Sequence, residues 1–377
     1  MPPLGELKTL SRLVISNTSI EEAPQGLEKL INLKWLDLSN NKSLNLKLGS
    51  FSSYLTKLQY LDLRNTPGVI MVEDIQRMKM LECFGGSISC EHYHKFMQKN
   101  LDVCFGLIKT YHLILEFEFC ERPWAYTDID LKDFLPGDYE NRYIEFTSCS
   151  HTFSHILSKD HTFMNIYGND DWVCLCNNLS YGTSSLKKMG IHYCDKLESL
   201  FCLSDSCSFC TNIHKLEVLE LSYLGSLTVI CKDVDVGQSL SPPDGIFSCL
   251  KEIYIYYCHL IEKLLTPQLV QQLQNLETIT VRDCDSMKEI IAVNNNDDND
   301  SSIITLPKLT SLYLYKLPEL KTVCKGSIHC GSSPVVSISL GPNLVQSRPT
   351  IERVEITDLL FHKGVIKSIY ILKFVQN

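Results

Sequence analysis

The chain has 377 residues, a formal net charge of −9 and 44% hydrophobic residues, enough apolar content for an extensive core. The acidic balance argues against a nucleic-acid partner, because a grip on phosphate backbones needs clustered Lys and Arg. No stretch supplies the roughly 18 consecutive apolar residues of a membrane span, and MPPLGEL at the start has neither the basic nor the apolar region of a secretory signal. The expectation is therefore a cytoplasmic chain whose seventeen cysteines are reduced thiols.

The first regular element is an apolar template at Leu10, Leu13, Ile15 and Thr18, with Ala23-Pro24 closing the turn after Ile20. It recurs at Leu33, Leu36, Leu38 and Asn41, and again at Leu58, Leu61, Leu63 and Thr66. These starts lie 23 and 25 residues apart, within the range of roughly 20 to 29 typical of the L-x-x-L-x-L-x-x-N/C-x-L repeat. Within each copy, apolar and free positions alternate, as in Trp35-Leu36-Asp37-Leu38-Ser39, which predicts a short strand with one buried face. The Asn, Thr or Cys that ends the strand is expected to turn inward and hydrogen-bond backbone groups of the neighbouring coil.

From 72 to 185 the register weakens. Glu73 to Leu81 reads as helical, and Tyr111 to Phe119 reads as a strand. In that strand Leu113, Leu115, Phe117 and Phe119 lie on one side, with His112, Ile114, Glu116 and Glu118 on the other. Tyr143 to Phe146 predicts another strand. Degenerate repeats are preferred here over an inserted domain.

The template returns at Leu186, Met189, Ile191, Cys194, Leu197 and Leu200, and then at Leu216, Leu219, Leu221, Leu224, Leu227 and Ile230. A matched pair follows: Leu250, Ile253, Ile255, Cys258, Ile261 and Leu264 are answered 26 residues later by Leu276, Ile279, Val281, Cys284, Met287 and Ile290. Leu309, Leu312, Leu314, Leu317, Leu320 and Val323 complete the series. The wider gaps hold a Ser/Pro/Gly-rich stretch from 238 to 245 and a polar run from 294 to 302, both read as surface loops. After a Gly/Ser/Pro-rich passage from 326 to 349, a partial template is expected at Ile351, Val354 and Ile356. The IKSIYILKF tail is read as a cap strand or an unpaired edge. The expected fold is an α/β repeat, a leucine-rich repeat solenoid or horseshoe. A parallel sheet lines its concave side, and helical or irregular returns form the other. Its expected divisions are regular repeats (1–71), degenerate repeats (72–185), Cys-type repeats (186–325) and a terminal partial repeat with tail (326–377).

Leu10 to Pro24, the LxxLxLSNN at Leu33 to Asn41, the VRDCDSMKEI form and the LPKLTSLYLYKLPEL run at Leu306 to Leu320 carry a resemblance. They resemble the C-terminal leucine-rich repeat region of plant intracellular coiled-coil nucleotide-binding leucine-rich-repeat (NB-LRR) disease resistance proteins. The resemblance implies a non-enzymatic recognition module that senses pathogen effectors or modified host proteins, or contacts other domains of the same receptor to hold it off. It also implies an upstream ADP/ATP switch. The chain has no G-x-x-x-x-G-K-[ST] motif, so no nucleotide cofactor is expected in this region, and a truncated or repeat-only form is the expectation. The alternative is a repeat adaptor outside immunity, such as the substrate-recruiting arm of a ubiquitin ligase.

Candidate partner-binding residues are the free strand positions, which project onto the concave face. They are Trp35 and Asp37, then Tyr60, Asp62 and Arg64, then Glu252, Tyr254 and Tyr256, then Thr280 and Arg282, and finally Tyr313 and Tyr315. Tyr, Trp and Arg carry much of the energy of protein interfaces. Cys202, Cys207 and Cys210 form a C-x4-C-x2-C cluster, and Cys149, His151, His155 and His161 lie close in sequence. Neither set shows a convincing second half of a tetrahedral ligand set, so no metal site is expected from spacing. No H-E-x-x-H, G-x-S-x-G or kinase signature occurs, and no catalytic residue is expected.

Overall fold

The structure is a computed structural model. It describes residues 4–68, 70–89, 108, 110–116, 142–147, 161–169, 171–177, 179, 184–202, 207–232, 245–292, 303–324, 327–329, 335–339, 354–357, 365–366 and 369–373. Phe117, Phe119, Cys149, His151, His155, Ile351 and the loops at 238–244 and 294–302 lie outside the described residues. The chain divides into two compact units, residues 1–149 with 160–167, and residues 150–159 with 168–377.

The first unit is a parallel sheet built in chain order. Its strands are β1 (Arg12–Val14), β2 (Trp35–Asp37), β3 (Tyr60–Asp62), β4 (Cys83–Ser89), β5 (Thr110–Glu116), β6 (Arg142–Thr147) and β7 (Phe163–Tyr167). The register follows the template: Leu13 lies beside Leu36, Leu36 beside Leu61 and Leu61 beside Phe84. Leu33, Leu36, Leu38, Leu58, Leu61 and Leu63 are all buried, each worth about 1.5–3 kcal/mol relative to exposure. The helix expected at Glu73 to Leu81 is shorter, α1 (Val72–Arg77), with Glu73 and Asp74 in its first turn and Arg77 in its last, as the helix dipole favours. At Gly86 the template leucine is missing because Phe84 and Ile70 occupy its place. A Cβ there would lie 2.9 Å from Ile70 Cδ1 and 3.1 Å from Phe84 Cζ.

In the second unit the main sheet runs through β8 (Lys188–His192), β10 (Val218–Ser222), β12 (Glu252–Tyr256), β14 (Thr278–Arg282), β17 (Ser311–Tyr315) and β20 (Val335–Ser339). The returns are more regular than the sequence suggests. Three-residue strands β9 (Ser199–Phe201) and β11 (Val229–Cys231) pair in parallel. So do β13 (Lys263–Leu265), β15 (Glu289–Ile291) and β18 (Thr322–Cys324). Of the helices α2 (Ser208–Asn212) and α3 (Pro267–Gln272), the latter is capped by Thr266 and has Pro at its first turn. Strand β16 (Ile303–Thr305) pairs in parallel with β19 (Ser327–His329).

The end of the chain departs from the expected partial template. The next parallel strand is β20, inside the passage read as Gly/Ser/Pro-rich, because Val-Val-Ser-Ile-Ser alternates with β-branched residues. Strand β21 (Val354–Thr357) instead pairs antiparallel with β23 (Ile369–Lys373), which lies antiparallel on β18, and β22 (Val365–Ile366) lies antiparallel on β19. The tail strand is thus paired, and it runs opposite to the strands of the row that it extends.

One backbone device recurs in both units. Asn17, Asn40 and Asn65, then Tyr193, Tyr223, Tyr257, Asp283 and Lys316, all have φ between 50° and 58°. Each sits one position before the Asn, Thr, Cys or Leu template residue that follows its strand. Left-handed backbone costs a non-glycine residue roughly 1–2 kcal/mol, least for Asn and Asp. The corner it makes lets the chain leave the strand while its N–H still reaches the next coil. Asn17 donates to Ser39, Asn40 to Arg64, Tyr223 to Tyr256, Tyr257 to Arg282 and Asp283 to Tyr315.

Asn41 bonds the neighbouring coil as expected, whereas the Cys258 and Cys284 thiols donate within their own coil. Asn41 is fully buried; its Nδ2 donates to the carbonyls of Ile15 (2.6 Å) and Leu38 (2.8 Å), and its Oδ1 accepts from Thr18 N (2.9 Å) and Oγ1 (2.6 Å). Cys258 and Cys284 donate to carbonyls two residues back, Tyr256 at 3.5 Å and Arg282 at 3.4 Å. Burial pushes both thiols up, Cys284 to about 12. Against it works a backbone hydrogen bond from the preceding template residue, Leu224 for Cys258 and Cys258 for Cys284. Leu224 and Leu317 hold the same position as fully buried packing residues.

Candidate functional site

The free strand positions meet two different fates. In the first unit Arg12, Trp35 and Tyr60 are register partners and form one stack: the Arg12 guanidinium lies 4.4 Å from the Trp35 ring centroid, and Trp35 and Tyr60 stack at 3.6 Å. Trp35 and Asp37 are half-buried. Tyr60, Asp62 and Arg64, expected on an accessible face, are buried at 5%, 0% and 6% exposure. They are bound to one another: Arg64 Nη2 meets Asp62 Oδ2 at 2.7 Å, its Nε meets Oδ1 at 3.0 Å, and Tyr60 Oη donates to Asp62 Oδ2 at 3.2 Å. Burial works against the Arg64 charge, but the Asp62 carboxylate more than offsets it and holds the guanidinium pKa above its ordinary value. Burial likewise raises the Tyr60 phenol, and it raises the Asp37 carboxyl although Ser39 donates two hydrogen bonds to it, at 2.7 and 3.0 Å.

The closure of this face continues beyond β3. His112 Nε2 and Glu145 Oε2 meet at 2.6 Å, both side chains at 2% exposure. Tyr143 stacks on Phe163 at 4.2 Å. His161 lies among these strands, its Nδ1 2.9 Å from Tyr111 Oη. Burial first, and the Arg142 charge second, push its pKa down to about 3.

In the second unit the same positions remain accessible, and exposure alternates cleanly along β12, β14 and β17. Register places Tyr254 beside Thr280 and Thr280 beside Tyr313, and in the next row Tyr256 beside Arg282 and Arg282 beside Tyr315. Arg282 is thus flanked directly by two tyrosines, and Thr280 by the other two. Arg282 and Tyr313 are exposed, while Glu252, Tyr254, Tyr256, Thr280 and Tyr315 are half-buried. Arg282 is held by Asp283 at 2.8 Å and lies 5.1 Å from the Tyr315 ring centroid, with Lys316 at 5.1 Å from the same ring. Tyr254 Oη donates to Glu252 at 2.8 Å. Burial, then that hydrogen bond, raises the Tyr254 phenol; burial and Glu220 raise that of Tyr256, against the pull of Arg282.

Two groupings escape a reading by template. Tyr193, Tyr223 and Tyr257 stack in sequence, at centroid distances of 4.5 and 4.4 Å with planes 10° and 12° apart. Their signal was a tyrosine recurring one position before Cys194, Leu224 and Cys258. Cys202, Cys207 and Cys210, read as lacking further ligands, are joined by Cys176 from the preceding coil, and the four sulfurs lie within 4.8 Å of one another. Cys176 is 26 residues upstream of Cys202, one repeat away and therefore outside any local spacing motif.

This stacked parallel architecture, with its apolar template, inward-turned Asn and Cys and recurrent corner, is a leucine-rich repeat solenoid. Residues 226–332 match the family described as "Plant disease resistance protein RPS2-like, leucine-rich repeats". No curated protein matches the chain. A leucine-rich repeat protein of Leptospira interrogans aligns at 14% identity and a TM-score of 0.32, covering 89% of this chain and 74% of its own. Among the described residues no helix is long and apolar enough to cross a membrane.

Proposed function

We propose that the chain is a non-enzymatic protein-recognition module of plant innate immunity, part of a cytoplasmic NB-LRR disease resistance protein. It senses a pathogen effector or a modified host protein, or contacts other domains of its own receptor. The family match over residues 226–332 supports the class of protein. The observation that carries the reading is the accessible row of Tyr256, Arg282 and Tyr315 beside that of Tyr254, Thr280 and Tyr313. Rigid aromatic side chains around a guanidinium are the residue types that dominate interface energies. In the first unit, half-buried Trp35 and Asp37 offer a separate patch of their own, braced by the buried Tyr60, Asp62 and Arg64 on the neighbouring strand.

The test is proximity labelling in plant tissue. The wild-type chain is compared with a variant carrying Tyr254→Ser, Tyr256→Ser, Tyr313→Ser and Tyr315→Ser, and with a control carrying Lys263→Ser and Lys288→Ser on the returns. The expected result is a set of labelled proteins kept by the control and lost by the tyrosine variant, with unchanged circular dichroism. An unchanged set in the tyrosine variant overturns the assignment of the face.

A further inference from the structure

Three cysteines of the second unit are accounted for by packing. Cys194, Cys258 and Cys284 hold the same template position in their coils, each donating to a carbonyl of its own coil. Cys176, Cys202, Cys207 and Cys210 do not fit that pattern. They come from a return turn, the residue after β9, the residue before α2 and α2 itself, yet their sulfurs converge on one point. Cys176 Sγ lies 3.2 Å from Cys210 Sγ, and Cys202 Sγ lies 3.9 Å from Cys210 Sγ. Thiols are weak donors and weak acceptors, so hydrogen bonding among them gives little reason for four to gather. All four are free cysteines, at separations well beyond the roughly 2.05 Å of a disulfide.

We infer that Cys176, Cys202, Cys207 and Cys210 form a tetrathiolate site for a single zinc ion. Zinc–thiolate bonds of about 2.3 Å in a tetrahedron put the sulfurs about 3.8 Å apart, which is the scale of the separations here. A group this tight has room for one ion, and soft thiolate donors select zinc over magnesium or calcium. Two backbone N–H groups already point at sulfur, Cys202 N at Cys176 Sγ (3.3 Å) and Cys210 N at Cys207 Sγ (3.4 Å), which is the outer support that ligating thiolates need. Cys210 is buried and the other three are half-buried, which leaves a path for the ion. On binding, four S–H groups release four protons to solvent and four Zn–S bonds form, with no change of oxidation state. The ion pins the turn at Cys176 to β9 and α2, one coil further on.

The test begins with the whole chain purified under reducing conditions without chelator. Elemental analysis is expected to find one zinc per chain. It should fall to background in Cys176→Ser and Cys210→Ser and stay at one in Cys258→Ser. A second measurement needs no variant: cobalt(II) added to the chelator-treated wild-type chain should give the visible absorption of a tetrahedral thiolate complex, saturating at one equivalent. Wild-type protein that contains no zinc and gives no such absorption overturns the site. So does iron in place of zinc, or zinc content unaffected by Cys176→Ser.

Discussion

His161 allows a pH effect to be worked out from its surroundings. Its Nδ1 meets Tyr111 Oη at 2.9 Å, its ring stands edge-on to Tyr111, and no partner meets Nε2 among the described residues. Protonation would give both nitrogens an N–H and leave a buried cation without an acceptor on one side. The folded-state pKa is accordingly pushed down to about 3, from 6.5 for a free histidine. A depressed histidine pKa means that the unfolded chain binds the proton more tightly. The protein therefore carries no penalty above about pH 6.5, loses stability as pH falls below that value, and stops losing it near pH 3. Between about pH 7.5 and pH 5 the linkage amounts to about 2 kcal/mol. His161→Gln removes the titration. The assay is urea unfolding at both pH values, followed by hydrogen-exchange mass spectrometry of first-unit peptides so that the second unit does not contribute. Wild type should lose about 2 kcal/mol more than His161→Gln on going to the lower pH. Equal losses would refute the reasoning.

Arg64→Ala leaves the Asp62 carboxylate at 0% exposure without its counter-ion. It should destabilise the first unit by about 3–5 kcal/mol, read as a lower urea midpoint. Asn41→Leu keeps the branched heavy-atom skeleton but strips hydrogen bonds from the Ile15 and Leu38 carbonyls and the Thr18 N–H. A loss of about 3 kcal/mol is expected, seen as faster exchange of the Thr18 amide.

The inward positions were legible because the template fixes them by spacing alone: Leu36, Leu61, Leu219, Ile253 and Ile279 are all buried as the pattern requires. Accessibility of the outward positions was not legible. Alternation says which side of the sheet Asp62 faces, but not whether that side is open. Tyr60, Asp62 and Arg64 are enclosed in a network that includes the Trp35 ring and lies beside Cys83 and Gly85 of β4, a strand the sequence pattern did not reveal. The thiol cluster was half legible. Cys207 and Cys210 stand at a ligand-like spacing, but Cys176 joins them only once coils are stacked in register, since a repeat turns a separation of 26 residues into adjacency.

The two sets of tyrosines in the second unit divide by backbone conformation. Tyr193, Tyr223 and Tyr257 occupy left-handed corners that cost roughly 1–2 kcal/mol each for such a side chain. Stacking returns about 0.5–1.5 kcal/mol per pair, and each N–H bonds to the next coil at 3.0 or 3.1 Å. These three are committed to holding adjacent coils in register, and a partner that displaced their stack would have to meet that cost. Tyr254, Tyr256, Tyr313 and Tyr315 sit on strand backbone outside the left-handed region, so their rings have no corner strain to offset, although Arg282 and Lys316 lie over the Tyr315 ring. A partner that binds these rings does not have to displace a strained corner, so the proposed recognition surface is better placed on these strand tyrosines than on the more closely stacked ladder beside them.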